Sequence, residues 1–219
     1  REVAQGGRRG ALMLSLSCHH PQIMDFVKLK RDLTKVTGAN ISVRVSDKFM
    51  KAVKSNSLYE QRWPVDSKEP EILNMTSAKE VWDEIIKSAH ASAEPGILFW
   101  DTAIKNTPSD IYAEDGFGST STNPCGEIIL SPGDSCRLML VNLTSFVENP
   151  WTPNATFNES LYVDIVKKAQ RLMDDMIDLE LEQIDKILAK IEKDPESNEI
   201  KQIEKDLWIF IKEQAIKGR

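Results

Sequence analysis

Asn123, Cys125 and Glu127 put an amide, a thiol and a carboxylate at alternate positions of Ser121-Thr122-Asn123-Pro124-Cys125-Gly126-Glu127-Ile128. In extended backbone, residues two apart project to the same side, so the three groups would converge on one small centre. A thiol between a hydrogen-bonding amide and a carboxylate suits hydrogen-atom or proton transfer. The carboxylate would accept a hydroxyl proton while the amide orients that hydroxyl. A polar loop with an incidental cysteine fits the same spacing. Cys136 follows eleven residues later, ahead of the apolar run 138–143, which reads as a strand. A Pro132-Gly133 turn between them would double the chain back and bring both sulfurs into one site. For Cys136 the alternative is a buried structural thiol, because free cysteine is among the most buried residue types.

Two further clusters invite chemistry. The first twelve residues are rich in Gly and Arg, which reads as a loop whose backbone can approach a ligand closely. Cys18-His19-His20 offers metal-ligand atoms, but an adjacent trio lacks the spacing that closes a coordination sphere. It reads as the end of a strand, and no metal site is expected.

The elements that position these groups follow from hydrophobic period. Residues 11–17 read as a short buried strand, and Pro21 opens a helix carrying Ile23, Phe26 and Val27 to about Asp32. Ile41–Val45 alternates as a strand, and Ser46-Asp47 caps a helix over 48–54. Ser77-Ala78-Lys79-Glu80 matches the capping box and starts a helix to about Ser92. Another strand is expected over 97–100, then a long polar loop over 106–122. From about Glu159 the apolar residues keep helical period until Asp194-Pro195, and a second helix covers 199–217. Short strands alternating with helices predict an α/β architecture with parallel strands, followed by a helical hairpin. Without a convincing linker, the chain reads as one structural unit: an α/β portion over 1–157 and a helical portion of the same domain over 158–219.

Composition removes whole classes. At 41% hydrophobic and 28% charged, the 219-residue chain is neither disordered nor collagenous, and three cysteines make no disulfide scaffold. No apolar run approaches the roughly 18 residues of a membrane helix. The net charge of −6 hides an asymmetry: residues 1–60 hold eleven Lys/Arg against five Asp/Glu, and the rest is acidic. The basic third could face phosphates or simply decorate exposed helices; the acidic remainder is no nucleic-acid surface. Free cysteines without a signal-peptide pattern point to a reducing, cytoplasmic setting. Arg1 is not an initiator Met, and Gly218-Arg219 stops directly after a helix, so both ends are expected to be interior to a longer chain.

Asn123-Pro124-Cys125-Gly126-Glu127-Ile128, with Cys136 and then Asn142-Leu143 beyond it, resembles the active-site finger loop of ribonucleotide reductase large subunits. Gln5-Gly6-Gly7-Arg8-Arg9-Gly10-Ala11 resembles that family's substrate-specificity loop. His20-Pro21-Gln22-Ile23, the stretch from Lys30 to Val43, and Ala93 to Asp101 are similar to its adenosylcobalamin-dependent members. The resemblance runs from Gln5 to about Arg219.

This resemblance implies part of a ten-stranded α/β barrel with a central finger loop (about 119–130), a specificity loop (about 4–12) and a C-terminal helical hairpin. The implied activity is reduction of ribonucleoside di- or triphosphates to 2′-deoxyribonucleotides for DNA synthesis. Cys125 would be the transient thiyl radical that abstracts the 3′ hydrogen, Glu127 would take the 3′-hydroxyl proton, and Asn123 would hydrogen-bond the ribose hydroxyls. Cys136 would be one of two thiols that end as a disulfide. Pro124 and Gly126 would line the substrate through backbone contacts. Gln5 and Arg9 would meet base or phosphate, with Gly10 and Ala11 allowing the loop to change shape.

Adenosylcobalamin is the implied radical source, a di-metal partner subunit the alternative, and a thioredoxin-type protein the external reductant. The full enzyme would be a homodimer. In the family the partner of Cys136 lies upstream of the specificity loop, so the missing barrel strands are expected on another polypeptide or outside this sequence. Cys18 stands where the family has no redox cysteine. A catalytically silent nucleotide-binding or assembly fragment of the same family is the second reading.

Overall fold

The computed structural model describes residues 4, 5, 8–32 and 34–218, with side chains from Gly10 onward. It divides into two compact units, Arg1–Pro132 and Gly133–Arg219. The sequence-read boundary near 157 is instead where the long C-terminal helices begin.

In the first unit, the short strands β1 (Ala4–Gln5) and β2 (Arg8–Arg9) pair with each other. A parallel sheet follows. β3 (Leu12–Ser17) pairs with β4 (Ala39–Val45), and β4 pairs with β7 (Gly96–Phe99), giving the order β3-β4-β7. Among the described residues this sheet has three strands and is not closed into a barrel. Helices α1 (Ile23–Lys28), α2 (Asp47–Ser55) and α3 (Ala78–Ser92) lie in the connections. Helix α1 is shorter than its pattern predicts, because Leu29–Arg31 tightens into a 3-10 turn.

The sheet has two unlike faces because strand side chains alternate. Val43 and Val45 are buried with Ile23, Val27, Phe49, Val81 and Ile85 in one core under the helices. The intervening positions Asn40, Ser42 and Arg44 are polar, and they belong to the opposite face.

The strand starts and helix ends follow local chemistry. The Ser46 hydroxyl accepts from the Phe49 N–H at 3.1 Å and caps α2, which stops at Asn56 in the left-handed region, φ 51°. The Ser46 hydroxyl is also 2.7 Å from His19 Nε2. Ser46→Ala removes the cap and leaves His19 unpartnered at that nitrogen, so it should cost about 1–2 kcal/mol, read as a lower urea midpoint at unchanged slope.

A hairpin that the sequence reading did not anticipate joins α2 to α3. It consists of β5 (Leu58–Trp63) and β6 (Ile72–Ser77), paired antiparallel. Buried Gln61 breaks the apolar alternation that would have marked β5. Its polarity is satisfied internally: Tyr59 O–H donates to the Cys18 carbonyl at 2.7 Å, Gln61 Nε2 donates to Tyr59 Oη at 3.1 Å, and Thr76 O–H donates to Gln61 Oε1 at 3.1 Å.

Helix α4 (Trp100–Asn106) begins one residue earlier than the strand over 97–100 would allow. The polar stretch 106–122 is not all loop, since a 3-10 helix occupies Pro108–Asp115. The Asp110 carboxylate then accepts from both the N–H and the hydroxyl of Ser119, closing the chain ahead of the next element.

In the second unit, residues 134–142 carry no regular structure, so the expected strand over 138–143 is absent. An apolar strand needs a partner for its backbone groups, and among the described residues of this unit the pairing is between β10 (Val147–Glu148) and β11 (Thr156–Phe157). Leu138 and Leu140 are instead exposed, at 64% and 94%. Helices α5 (Glu159–Lys193) and α6 (Asn198–Lys217) form the expected hairpin, capped by Asn158 and Ser197. Ile184 and Ile191 are buried along it.

Candidate active site

The segment holding Asn123, Cys125 and Glu127 is a small hairpin. Its limbs are β8 (Ser121–Thr122) and β9 (Ile129–Leu130), paired antiparallel with Ser121 opposite Leu130. The tip is closed by three bonds: Asn123 N–H to the Ile128 carbonyl (3.1 Å), Ile128 N–H to Asn123 Oδ1 (3.1 Å), and Gly126 N–H to the Asn123 carbonyl (3.0 Å). Asn123–Gly126 is therefore a β-turn with Pro124 in its second position and Gly126 in its fourth. Gly126 has φ +86°, a conformation that glycine adopts without strain.

This turn corrects the extended backbone expected for 121–128. A strand through Pro124 and Gly126 would forfeit these closing bonds, and the proline and glycine favour the turn. Asn123 is half-buried and committed to the loop through its carbonyl and Oδ1, while Nδ2 makes no hydrogen bond among the described residues. Cys125 and Glu127 are exposed at the tip. So the amide, thiol and carboxylate are gathered on one six-residue loop, by a turn and not by strand alternation.

The hairpin lies against the polar face of the parallel sheet. Ser15 Oγ on β3 is 3.1 Å from Ser121 Oγ. Asn40 Nδ2 donates to the Pro124 carbonyl at 3.0 Å, and Arg44 Nη1 donates to the Thr120 carbonyl at 3.0 Å. The Arg44 guanidinium also sits 5.0 Å from the centre of the Trp100 ring. A Cβ placed on Gly126 would meet Leu98 of β7 at 3.8 Å, so the tip rests on that side chain. Sequence reasoning missed Ser15, Asn40 and Arg44. Their signal was present as polar residues alternating with apolar ones in two sheet strands.

The remaining candidates fall elsewhere. Gly10 is half-buried and Ala11 exposed, whereas the side chains of Gln5 and Arg9 lie outside the described residues. Cys136 belongs to the second unit and is exposed, so it is not a buried structural thiol. Its neighbours hold that segment to α5: Arg137 pairs with Glu180, and Ser135 O–H reaches the same carboxylate at 3.4 Å.

Cys18 is fully buried at the end of β3, where its N–H donates to the Arg44 carbonyl at 2.9 Å. Burial pushes its thiol up to about 11. His19 Nδ1 is 2.7 Å from the Glu60 carbonyl, which only accepts, so Nδ1 carries the proton and Nε2 accepts from Ser46. Among the described residues no three His, Cys, Asp or Glu side chains are grouped to hold a metal ion.

The buried Cys18 thiol makes stability depend on pH. Its folded value lies above the ordinary 9.0, so above pH 9 the unfolded chain loses its proton more readily than the folded one. Stability should be level below about pH 9 and fall as pH rises toward 11. Buried Tyr59, pushed up by desolvation, adds a fall in the same direction. Urea midpoints between pH 8 and 10.5 check this, and Cys18→Ala should flatten the thiol's share of the slope.

Residues 2–195 match the family model described as ribonucleotide reductase, barrel domain. A vitamin B12-dependent ribonucleoside-diphosphate reductase of Mycobacterium tuberculosis is 35% identical over 180 residues, covering 81% of this chain and 24% of the relative. The enzyme of the same name from Thermoplasma acidophilum is 34% identical over 196 residues, covering 87% of this chain and 24% of the relative. A Mycobacterium phage protein whose name gives adenosylcobalamin and ribonucleoside triphosphates is 32% identical over 173 residues, 78% of this chain and 21% of its own. The chain thus spans about a quarter of the length of the curated relatives it matches. No helix among the described residues is long and apolar enough to cross a membrane.

Proposed function

The chain belongs to the ribonucleotide reductase family, and from that premise we propose that it is part of a catalytic subunit that reduces ribonucleotides to 2′-deoxyribonucleotides. The observation that carries this reading is the Asn123–Glu127 tip, with its exposed thiol, seated on the sheet face opposite the helices. In a closed α/β barrel that face is the interior. We therefore read the three parallel strands as a sector of the family's ten-stranded barrel, with the hairpin as its central finger loop and residues 158–219 as a helical portion of the same domain.

Cys125 carries the thiyl radical in this proposal. The substrate's 3′ C–H bond breaks and an S–H bond forms, moving the radical to the sugar. Glu127 accepts the 3′-hydroxyl proton through its carboxylate, which is exposed at the loop tip. Asn123 orients the ribose hydroxyls through Nδ2, the half of its amide that the turn leaves available. The 2′ oxygen leaves as water, a pair of thiols supplies two electrons and two protons as it closes to a disulfide, and the Cys125 S–H returns its hydrogen atom to C3′, restoring the thiyl radical.

Cys136 is one of that pair. Cys18 is not the other, being locked in the helix-side core, so the second thiol lies elsewhere in the full protein. A thioredoxin-type reductant reopens the disulfide. The loop from Gln5 to Ala11 contacts the base or phosphate.

Adenosylcobalamin is the proposed radical source because the relatives are named for it. When bound, it would supply the radical from which the Cys125 thiyl is generated. The substrate is a ribonucleoside di- or triphosphate, the enzyme a cytoplasmic homodimer.

The test combines the 219-residue chain with a polypeptide supplying the remaining barrel strands, adenosylcobalamin, a dithiol and each class of ribonucleotide. Deoxyribonucleotide product is expected for one class. Tight nucleotide binding with no product in the complete mixture would overturn the proposal in favour of a silent nucleotide-binding protein.

A further inference from the structure

The finger hairpin touches the sheet through a matched pair of contacts. Asn40 and Arg44 are four residues apart on β4, and the carbonyls they hold, Pro124 and Thr120, are four residues apart on the incoming limb. Asn40 meets the later residue and Arg44 the earlier one, so this limb runs antiparallel to β4. On β4, at roughly 3.3 Å per residue, the two donors stand about 13 Å apart, one against the foot of the limb and one against the turn at its tip. Ser15 adds a third contact, to Ser121 between them. The inner face is also kept low where the limb crosses it: a Cβ on Gly96 would come within 2.7 Å of Ser42 Oγ.

Both clamps hold backbone carbonyls, so they read position along the chain and not side-chain identity. Position matters because a slip of one residue sends alternate side chains to opposite faces. The Pro124 carbonyl is bonded directly to the Cys125 nitrogen. The geometry points to Asn40 and Arg44 as positioning residues that set the register of the finger hairpin, and hence the placement of the Cys125 thiol. Asn40, at the tip, has the larger share. This inference rests on the reductase reading for its catalytic consequence, though not for its structural one.

Asn40 is exposed and outside the core, so its loss should leave the melting temperature unchanged. Asn40→Ala removes the donor. Asn40→Asp keeps the shape and replaces the donor with an acceptor. In the 219-residue chain, hydrogen exchange of the Gly126 and Ile128 amides should quicken roughly fivefold in both variants, the effect of one lost hydrogen bond. Amides of the β3–β4 ladder should not change. In the assembled enzyme both variants should lose kcat by about tenfold with KM retained. Unchanged tip exchange in both variants, or an Asn40→Asp variant that behaves as wild type, would overturn the register proposal. Quickened exchange in a mixture where the wild type also makes no product would support it and overturn the reductase reading alone.

Discussion

Cys125→Ser should abolish nucleotide reduction in the assembled enzyme, by at least about 10³-fold, while the chain folds as before. A hydroxyl replaces a thiol of nearly equal size, so the substitution changes only the reactivity of one group. A serine O–H bond is far stronger than a thiol S–H, and an oxygen-centred radical at that position is correspondingly harder to generate. A 10³-fold loss corresponds to about 4 kcal/mol of barrier, well within what such a change of atom imposes. Folding should not notice. Cys125 is exposed, and the bonds that shape the tip use the Asn123 carbonyl and amide, not the Cys125 side chain. Product chromatography beside a thermal melt makes the measurement. Activity above about a tenth of wild type would remove Cys125 from the radical role, and a shifted melt would mean that the turn depends on the thiol.

Phe49→Ala should have the largest effect on stability, about 3–5 kcal/mol. Phe49 is fully buried on the inner side of α2. Its ring packs edge-on to Tyr59 at 4.8 Å between centroids and lies 6.5 Å from that of Trp82 on α3. Removing it leaves a cavity lined by three elements that cannot all close in. Typical domain stabilities of 5–15 kcal/mol make this a fifth or more of the whole. The consequence reaches the site, because Val43 and Val45 pack in the same core and the alternate residues of that strand hold the hairpin. Urea unfolding measures the loss directly. A change below about 1 kcal/mol would show that the helix-side core is not the tight cluster described.

The site was more legible in the sequence than the fold that carries it. Pro124 and Gly126 were visible as breakers, and the thiol, amide and carboxylate were visible as types. Their arrangement was not, because residues at alternate positions share a side only in extended backbone, and here a carbonyl of Asn123 captures the Gly126 N–H instead. The β5–β6 hairpin escaped for a related reason. Gln61 is buried and polar, and only its bonds to Tyr59 and Thr76, supplied by neighbours distant in sequence, make that position inward. The run 138–143 failed in the other direction: apolar residues promised a strand, but a strand exists only where another chain segment offers its hydrogen bonds.

Local order was determined by the sequence itself. Strand alternation in Ala39–Val45, serine caps at Ser46, Ser77 and Ser197, and helical period through α5 are near-neighbour effects, encoded within a few residues. The motifs at 5–11 and 123–128 sufficed to indicate the family. Tertiary structure alone decided which face of the sheet receives the hairpin and which residues hold it there. Asn40 and Arg44 are separated from their partners by 84 and 76 positions. No local pattern specifies such a pairing, since it arises only when the helix-side core has buried Val43 and Val45 and turned the alternate polar residues of that strand toward the loop.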